Sequence, residues 1–491
     1  MPSTGDRFES VAEARRRARR RLPGPVFSAI EAGSEAGVTR ADNVTAFGEI
    51  RFAPPLLAPP RLAPATTTDT APVTAPAGPA AGDLRTSVLG VEIGLPVIAS
   101  PVGAQAVHPL GEVAVAMGTA AAGTAMGLSE FASRPAAEVA AANGKLFFQV
   151  HWSADRDLLL ERAEVAREAG ARALIVTLDW SFPVGRDWGS PAIPERLDLK
   201  TLARLAPAGL ARPGYLLDWL RHGGLPDLTV PNMARPGEPA PGFFAAYRDW
   251  MAVPPPTWGD IAWLADKWGG EFLVKGVIRP DDARQALDAG ATAISVSNHG
   301  GNNLDSTPAS IRALPGVVDA VAGRAEVLLD GGVRRGGDVV KALALGARAV
   351  MIGRPCLWGL AAGGPAGVSN VFGILRAGID SALLALGRAS VHDLLPADVI
   401  VPPGFTLGSL PMNGVRAPAG SVTQGSEPVP DSRRSPAGCL GMLPATNLRG
   451  ADGRRQGTGT AAGGTGRGGH AAAADRGSGA RRSAGAGQPR G

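Results

Sequence analysis

Ala293 to Asp305, AISVSNHGGNNLD, puts a histidine where chemistry is readily done. An apolar run ends in Ser297, Asn298 and His299, and Gly300 and Gly301 then let the backbone turn sharply, leaving the imidazole at an open strand end as a candidate general base. Two later apolar runs, AEVLLD and ARAVMI, stop at Gly331-Gly332 beside Arg334 and Arg335, and at Gly353 beside Arg354. Bare amides and guanidinium forks at adjacent strand ends suit a phosphate. A base beside a phosphate anchor implies a phosphorylated cofactor held next to a substrate.

The elements that must position these groups follow a repeating pattern from Leu95 onward: a short β-type run, a polar or Gly-rich turn, then a helix-period segment. The runs are LPVIAS ending at Ser100, GTAMGLS at Ser129, LFFQVH at His151, ALIVTLD at Asp179, FLVKGV around Lys275, AISVSNH at His299, EVLLDGG at Gly332 and AVMIGR at Arg354. Between them DRDLLLERAEVAREAG, TWGDIAWLADKWGG, PDDARQALDAG, SIRALPGVVDAVAG and GDVVKALALGA carry apolar residues at helical spacing, mostly with Gly stops. Alternating units of this kind predict an α/β fold, a single parallel (β/α)8 TIM barrel that with its N-terminal helices makes one domain of residues 7–407, with its active site where strands end and βα loops begin.

Three stretches depart from the pattern. Residues 54–82, dense in Pro, Ala and Thr, are expected to form a flexible loop insertion. The connection after the fourth strand, 181–256, is far longer than its neighbours and rich in Pro, Gly, Trp and Phe, which suits a lid over the strand-end site. Residues 413–491 are Gly, Ala, Arg, Ser and Pro with few large apolar side chains, and are expected to be a disordered tail. Ahead of the barrel, Phe8 to Leu22 reads as a helix whose RRRARRR is a solvated face, and LPGPVFSAIEAGSEAG as a break and a second helix.

Composition narrows the function classes. The net charge of +5 conceals a split: residues 413–491 hold 11 Arg and no Lys against 4 Asp plus Glu, a net of +7, so the rest carries +5 − 7 = −2. A basic nucleic-acid face is therefore not expected of the folded part. Two cysteines, Cys356 and Cys439, with no CxxC and no Cys/His cluster, suit a reducing compartment and suggest no metal site. No secretory apolar region and no apolar run of membrane-spanning length stand out, so the expectation is a soluble cytoplasmic protein without a membrane partner.

SNHGGNNLD, LVKGV, LLDGGVRRGGDVVKALALGARAVMIGRP and LPGPVFSAIEAGSE resemble the FMN-dependent α-hydroxy acid oxidase and dehydrogenase family. VTLDWSFPVGRDWGSPAIPE and PPPTWGDIAWLADKWGGEFLVKG are similar to its branch in mycofactocin biosynthesis, a pathway of peptide maturation. The resemblance implies an FMN flavoprotein, a homo-oligomer (tetrameric in the family), with dioxygen or an unidentified carrier taking the electrons. It assigns Gly332, Arg334, Gly353 and Arg354 to the phosphate and ribityl chain, with Asp330 on the ribityl. It assigns Val102, Gly103, Ser129, Gln149, Thr177 and Ser297 to the cofactor, and Lys275 to the flavin N1 and C2 carbonyl, where a fixed cation stabilises negative charge on the reduced ring. His299 becomes the base and Asp179 its supporting carboxylate.

The departures are as informative. Where hydroxy acid oxidases place an arginine three residues after the catalytic histidine, this chain has Asn302; a second arginine aligns with Asp187, and a tyrosine with His151. A bidentate Arg pair is the means of gripping a small α-hydroxy carboxylate. Resemblance to the mycofactocin branch instead implies oxidative deamination of a peptide-derived amino-lactam, a cyclic amide with an amine beside its carbonyl, two ring methyls and a hydroxybenzyl group, to an α-keto lactam. His151, Asn302 and Asp187 are its candidate substrate contacts. The alternatives are an α-hydroxy acid oxidase or dehydrogenase of altered specificity, and a non-redox barrel binding a phosphorylated metabolite.

Overall fold

All eight apolar runs form strands, and every strand is buried on both faces as a parallel barrel requires, one side turned to the lumen and the other lying under helices. A computed structural model describes residues 7–57, 81–103, 107–179, 185–190, 199–222, 224, 226, 228–235 and 237–407. The strands are β1 (Val97–Ala99), β2 (Met126–Ser129), β3 (Leu146–His151), β4 (Ala173–Thr177), β5 (Glu271–Val277), β6 (Ala293–Val296), β7 (Glu326–Asp330) and β8 (Ala349–Ile352). Each pairs in parallel with the next, and β8 pairs with β1 to close the barrel.

Strand alternation decides what faces the lumen. Ile98, Phe147, Ile175, Leu273, Leu328 and Met351 form one apolar layer inside the barrel, and Val88, Leu89, Val91 and Ile93 of a hairpin join that cluster. The hairpin lies at the strands' N-terminal end, where the Leu89 amide donates to Glu326 Oε2 at 2.8 Å. Two residues further along the strands, on the same inward side, come Gln149, Thr177, Lys275, Asp330 and Gly353. An apolar plug thus carries a polar layer at the C-terminal end, which positions the site.

The five helix-period segments appear as helices Arg156–Glu168, Trp258–Trp268, Pro280–Asp288, Ser310–Val321 and Gly336–Ala344. Helices Val11–Arg21 and Gly24–Glu31 match the N-terminal reading, and the arginine run is largely paired with Glu13 and Glu31. A third N-terminal helix, Val38–Glu49, was not expected. Its start is capped by the distant Asp305, whose carboxylate accepts from the Val38 and Thr39 amides at 3.1 and 2.8 Å.

After β4, the described residues hold helices Leu199–Leu210, Pro213–Arg221 and Phe243–Met251 and a short turn at Pro231–Met233. Val230, Met233 and Ala246 pack with Phe131 in a separate apolar cluster joined by Phe243, Tyr247 and Trp250. Residues 58–80, most of the expected insertion, and the whole of the expected tail lie outside the described residues.

The expected lack of a membrane-length apolar segment needs correcting. Helix Arg354–Ala385, 32 residues long, is long and apolar enough to cross a membrane by length and composition. Gly363 and Gly364 break its helical geometry, and Leu360, Val368, Val371, Phe372, Leu375 and Ile379 bury its apolar side in the main core.

Candidate active site

His299 stands just past β6 with φ +56°, a left-handed conformation rare for any residue but glycine. Holding it there costs on the order of 1–3 kcal/mol, which the surrounding contacts must offset. Its amide donates to Ser297 Oγ at 3.1 Å, and Gly300 and Gly301 continue the turn with positive φ. Its Nδ1 lies 3.1 Å from Asp179 Oδ2. An ionised carboxylate can only accept, so Nδ1 carries a proton, and in the neutral ring the lone pair is then on Nε2. The ring is about a third exposed, at 35%, enough to meet a substrate.

Asp179 is itself held. Asn303 Nδ2 donates to its Oδ2 at 2.9 Å and to its backbone carbonyl at 2.8 Å. Burial pushes the carboxyl's pKa up, but the His299 and Lys275 charges and the His299 hydrogen bond outweigh burial and hold it below the ordinary range. Gly276 makes room for it: with φ +108°, a Cβ there would lie 2.7 Å from the Asp179 Cβ, backbone N and Oδ1, and the β5–β6 register slips at this residue. Gly276→Ala is therefore expected to leave a folded, yellow protein in which Asp179 is pushed off His299. Substrate-driven flavin reduction, followed anaerobically, should fall by about 10²-fold or more; an unchanged rate would mean that the pairing does not matter.

Lys275, buried at the same level, has its Nζ 2.8 Å from Ser297 Oγ and 2.9 Å from Asp330 Oδ2, while Ser297 Oγ donates to Asp330 Oδ1 at 2.7 Å. Burial would lower the lysine's pKa, yet Asp330 and Asp179 outweigh it and raise the pKa, so the ammonium stays charged. Asp330 Oδ2 sits at ion-pair distance from Lys275 without an aligned hydrogen bond, and so can still accept one from a hydroxyl.

Arg334 and Arg354 form the other half of the site. Neither pairs with a carboxylate among the described residues. Arg334 lies over the Trp358 ring at 4.9 Å, and Arg354 donates to the backbone carbonyls of Gly300 and, at 3.2 Å, Glu31. Burial pushes Arg334 down to about 9, with Arg354's charge adding to the effect, and burial pushes Arg354 down to about 10. Two half-buried guanidiniums that repel each other stand beside the starts of helices Gly336–Ala344 and Arg354–Ala385, an arrangement with the charge and donors that an anion could use. Gly332 has a second reason to be glycine: with φ +82°, a Cβ would lie 1.7 Å from the Asn43 carbonyl oxygen. Asn43 in turn exchanges amide hydrogen bonds with Asn298 at 2.8 and 3.0 Å, tying helix Val38–Glu49 to the His299 loop.

The remaining candidates divide. Gln149, Thr177 and His151 meet at the mouth: Gln149 Nε2 donates to Thr177 Oγ1 at 2.6 Å and lies 3.1 Å from His151 Nε2. Ser129 is buried beside them at the end of β2, its Oγ accepting from the Phe131 amide. Val102 and Gly103 follow β1, and a Cβ on Gly103 would lie 2.9 Å from Phe131 Cβ. Val102 also neighbours Gly353, whose Cβ would lie 3.8 Å from it. Asn302 has its Oδ1 occupied, accepting from the Gly33 amide at 3.1 Å. Asp187 is exposed, with its backbone paired to Glu35. Its neighbour Arg186 is the half-buried residue, donating to the Ser28 carbonyl at 3.2 Å. Cys356 is buried and its thiol is pushed up by burial, far from a nucleophile's range. Sequence reading missed Asn303, Gly276, Asn43 and the Glu130–Arg162 pair behind His151. The NN after HGG was the one local signal among them.

Chemistry gathered in this way at one end of a parallel barrel places the molecule among the barrel oxidoreductases. The chain belongs to the FMN-dependent dehydrogenase family, whose pattern matches residues 18–401, and FMN is its cofactor. Over 398 residues it is 61% identical to pre-mycofactocin synthase of Mycobacterium tuberculosis, spanning 81% of this chain and 96% of that one. It is 40% identical over 318 residues to an L-lactate oxidase of Nostoc, spanning 64% of this chain and 81% of the oxidase. Among solved structures, a monotopic membrane (S)-mandelate dehydrogenase superposes with TM-score 0.69 at 28% identity, covering 80% of this chain and 100% of that one.

Proposed function

We propose that this protein oxidises the amine of a peptide-derived amino-lactam to the α-keto lactam, the reaction that its resemblance to the mycofactocin branch implies. What carries this reading is Asn302 and Asp187, which by the resemblance take the positions of the two arginines that clamp a carboxylate in hydroxy acid oxidases. An amino-lactam has no carboxylate to grip. A carboxamide and an apolar wall suit it better, and Asn302 Nδ2, which donates to no acceptor among the described residues, can donate to the lactam carbonyl.

In this reading Arg334, Arg354, Gly332 and Gly353 hold the FMN phosphate and Asp330 takes a ribityl hydroxyl. Lys275, Ser297, Gln149, Thr177, Ser129, Val102 and Gly103 hold the ring. FMN, when bound, supplies a two-electron oxidation. His299 Nε2 takes the proton from the substrate's ammonium or α-carbon, and Asp179 stabilises the imidazolium that results. Lys275 holds a positive charge against the face that becomes electron-rich. Water then converts the imine to ketone and ammonia, and dioxygen, reduced to peroxide, or another carrier takes the two electrons. Residues 181–256 act as the lid, with Trp250, Tyr247 and Phe243 excluding water from the mouth. The protein works as a cytoplasmic homo-oligomer.

One observation favours a second reading, an α-hydroxy acid oxidase. Arg186 is half-buried and pairs with no carboxylate among the described residues; burial and the neighbouring Arg40 push its pKa down, so it would gain from an anionic substrate. Anaerobic mixing of the oxidised protein with the amino-lactam, lactate, glycolate and mandelate separates the two. Fast bleaching by the amino-lactam alone is expected. Fast bleaching by a hydroxy acid, with none by the amino-lactam, would overturn the deaminase reading.

A further inference from the structure

Directly after β2, Glu130 is wholly buried, and so, at 7% exposure, is Arg162 of helix Arg156–Glu168. Glu130 Oε2 lies 3.0 Å from Arg162 Nη1. Its Oε1 accepts from the His151 amide at 2.7 Å and lies 2.8 Å from the His151 Nδ1. Two charges taken out of water are costly to keep, and neither residue reaches the reacting atoms. What Glu130 does reach, with Arg162 behind it, is His151, clamped between Trp250 at 4.5 Å and the edge of Phe131 at 5.1 Å.

The donors and acceptors beyond His151 form a chain with one polarity. An ionised Glu130 can only accept, so His151 Nδ1 donates to it and Nε2 is left with a lone pair. Gln149, 3.1 Å away, must then turn its NH2 toward that lone pair, and its other N–H goes to Thr177 Oγ1 at 2.6 Å. Turning the amide round would require a second proton on the imidazole, placing a cation next to Arg162 with a single carboxylate between them. In the arrangement present, Gln149 Oε1 accepts no hydrogen bond among the described residues, and the carboxamide stands in the polar layer at the mouth.

We propose that Glu130 and Arg162 are positioning residues for the flavin: by fixing His151 as its Nδ1–H tautomer they hold the Gln149 carboxamide with Oε1 toward the mouth, as the acceptor for the imide N–H of the isoalloxazine ring. The inference rests on the reading that Gln149 contacts the ring and is independent of which substrate is oxidised. The same acceptor chemistry would also suit the N–H of a lactam, so the test must separate ring from substrate.

The first measurement uses the intact holoprotein. Ring ¹⁵N spectra of histidine-labelled wild type, with His151 assigned by loss of its signals in His151→Phe, should show His151 protonated on Nδ1 and bare on Nε2. A ring protonated on Nε2, alone or as well, overturns the proposal. The second compares retention of FMN with that of N3-methyl-FMN exchanged into the holoprotein, read by flavin fluorescence. Wild type should prefer FMN by about tenfold, the value of one hydrogen bond, and the paired Glu130→Gln, Arg162→Met variant should lose most of that preference. If Gln149→Leu abolishes the preference and the paired variant keeps it, the relay is wrong while the Gln149 contact stands. If Gln149→Leu keeps it, the ring contact itself is wrong. A paired variant with unchanged flavin preference and a raised KM for the amino-lactam would place the N–H on the substrate and also overturn the proposal.

Discussion

His299→Ala is expected to leave the protein folded and yellow while slowing anaerobic reduction of its flavin by the amino-lactam about 10²- to 10⁴-fold, the range of a positioned general base. Two separate constraints hold His299, the proposed base. The left-handed backbone at φ +56° aims the ring, and the Asp179 hydrogen bond of 3.1 Å selects the tautomer that leaves Nε2 free. Because both act through the imidazole, removing it should erase the benefit of both, and Asp179→Asn added to His299→Ala should cost little more. His299→Ala bleaching as fast as wild type would remove His299 from the chemistry.

The second large effect is on the cofactor. Replacing Arg334 and Arg354 together by alanine is expected to weaken FMN retention about 10²- to 10⁴-fold, since each charged hydrogen-bond donor to the phosphate contributes about 1.5–3 kcal/mol. Dialysis of the variant should give a colourless protein that free FMN at high concentration recolours. Arg354→Ala alone should fall in between and should also loosen the turn at Gly300, because its guanidinium donates to that carbonyl as well as serving the proposed phosphate contact. A double variant that keeps its flavin through dialysis would place the phosphate elsewhere. Arg334→Lys is a useful companion: it keeps the charge but loses the planar fork, so partial loss would separate charge from geometry.

Much of this molecule could be read along the chain. The barrel was legible because its signals are local: each strand announces itself by an apolar run, each helix by its spacing, and their alternation leaves few topologies. Gln149, Thr177 and Asp330 were named only through the family resemblance, and the closed barrel supplies the physical reason that they and Lys275 face one mouth. In a parallel barrel the strand ends lie on one side, and the alternation of side chains settles which residues look inward. Helix Val38–Glu49 was missed because its start has no local cap, Gly37 preceding it and the capping carboxylate coming from Asp305.

The sequence by itself determined the eightfold alternation, the histidine at a strand end and the paired Gly-Arg turns, all set by residues within a few positions of one another. Tertiary structure alone decided which partners those residues meet. Asn43 reaches Asn298, Asn303 reaches Asp179, and the Gly33 amide donates to the Asn302 side-chain oxygen, each across more than a hundred residues, while Arg162 stands behind Glu130 from the next helix but one. The physical reason is that a hydrogen bond or ion pair depends on distance and direction to within fractions of an ångström. Those are fixed when the barrel closes and the N-terminal helices pack over its mouth, and no local spacing encodes them.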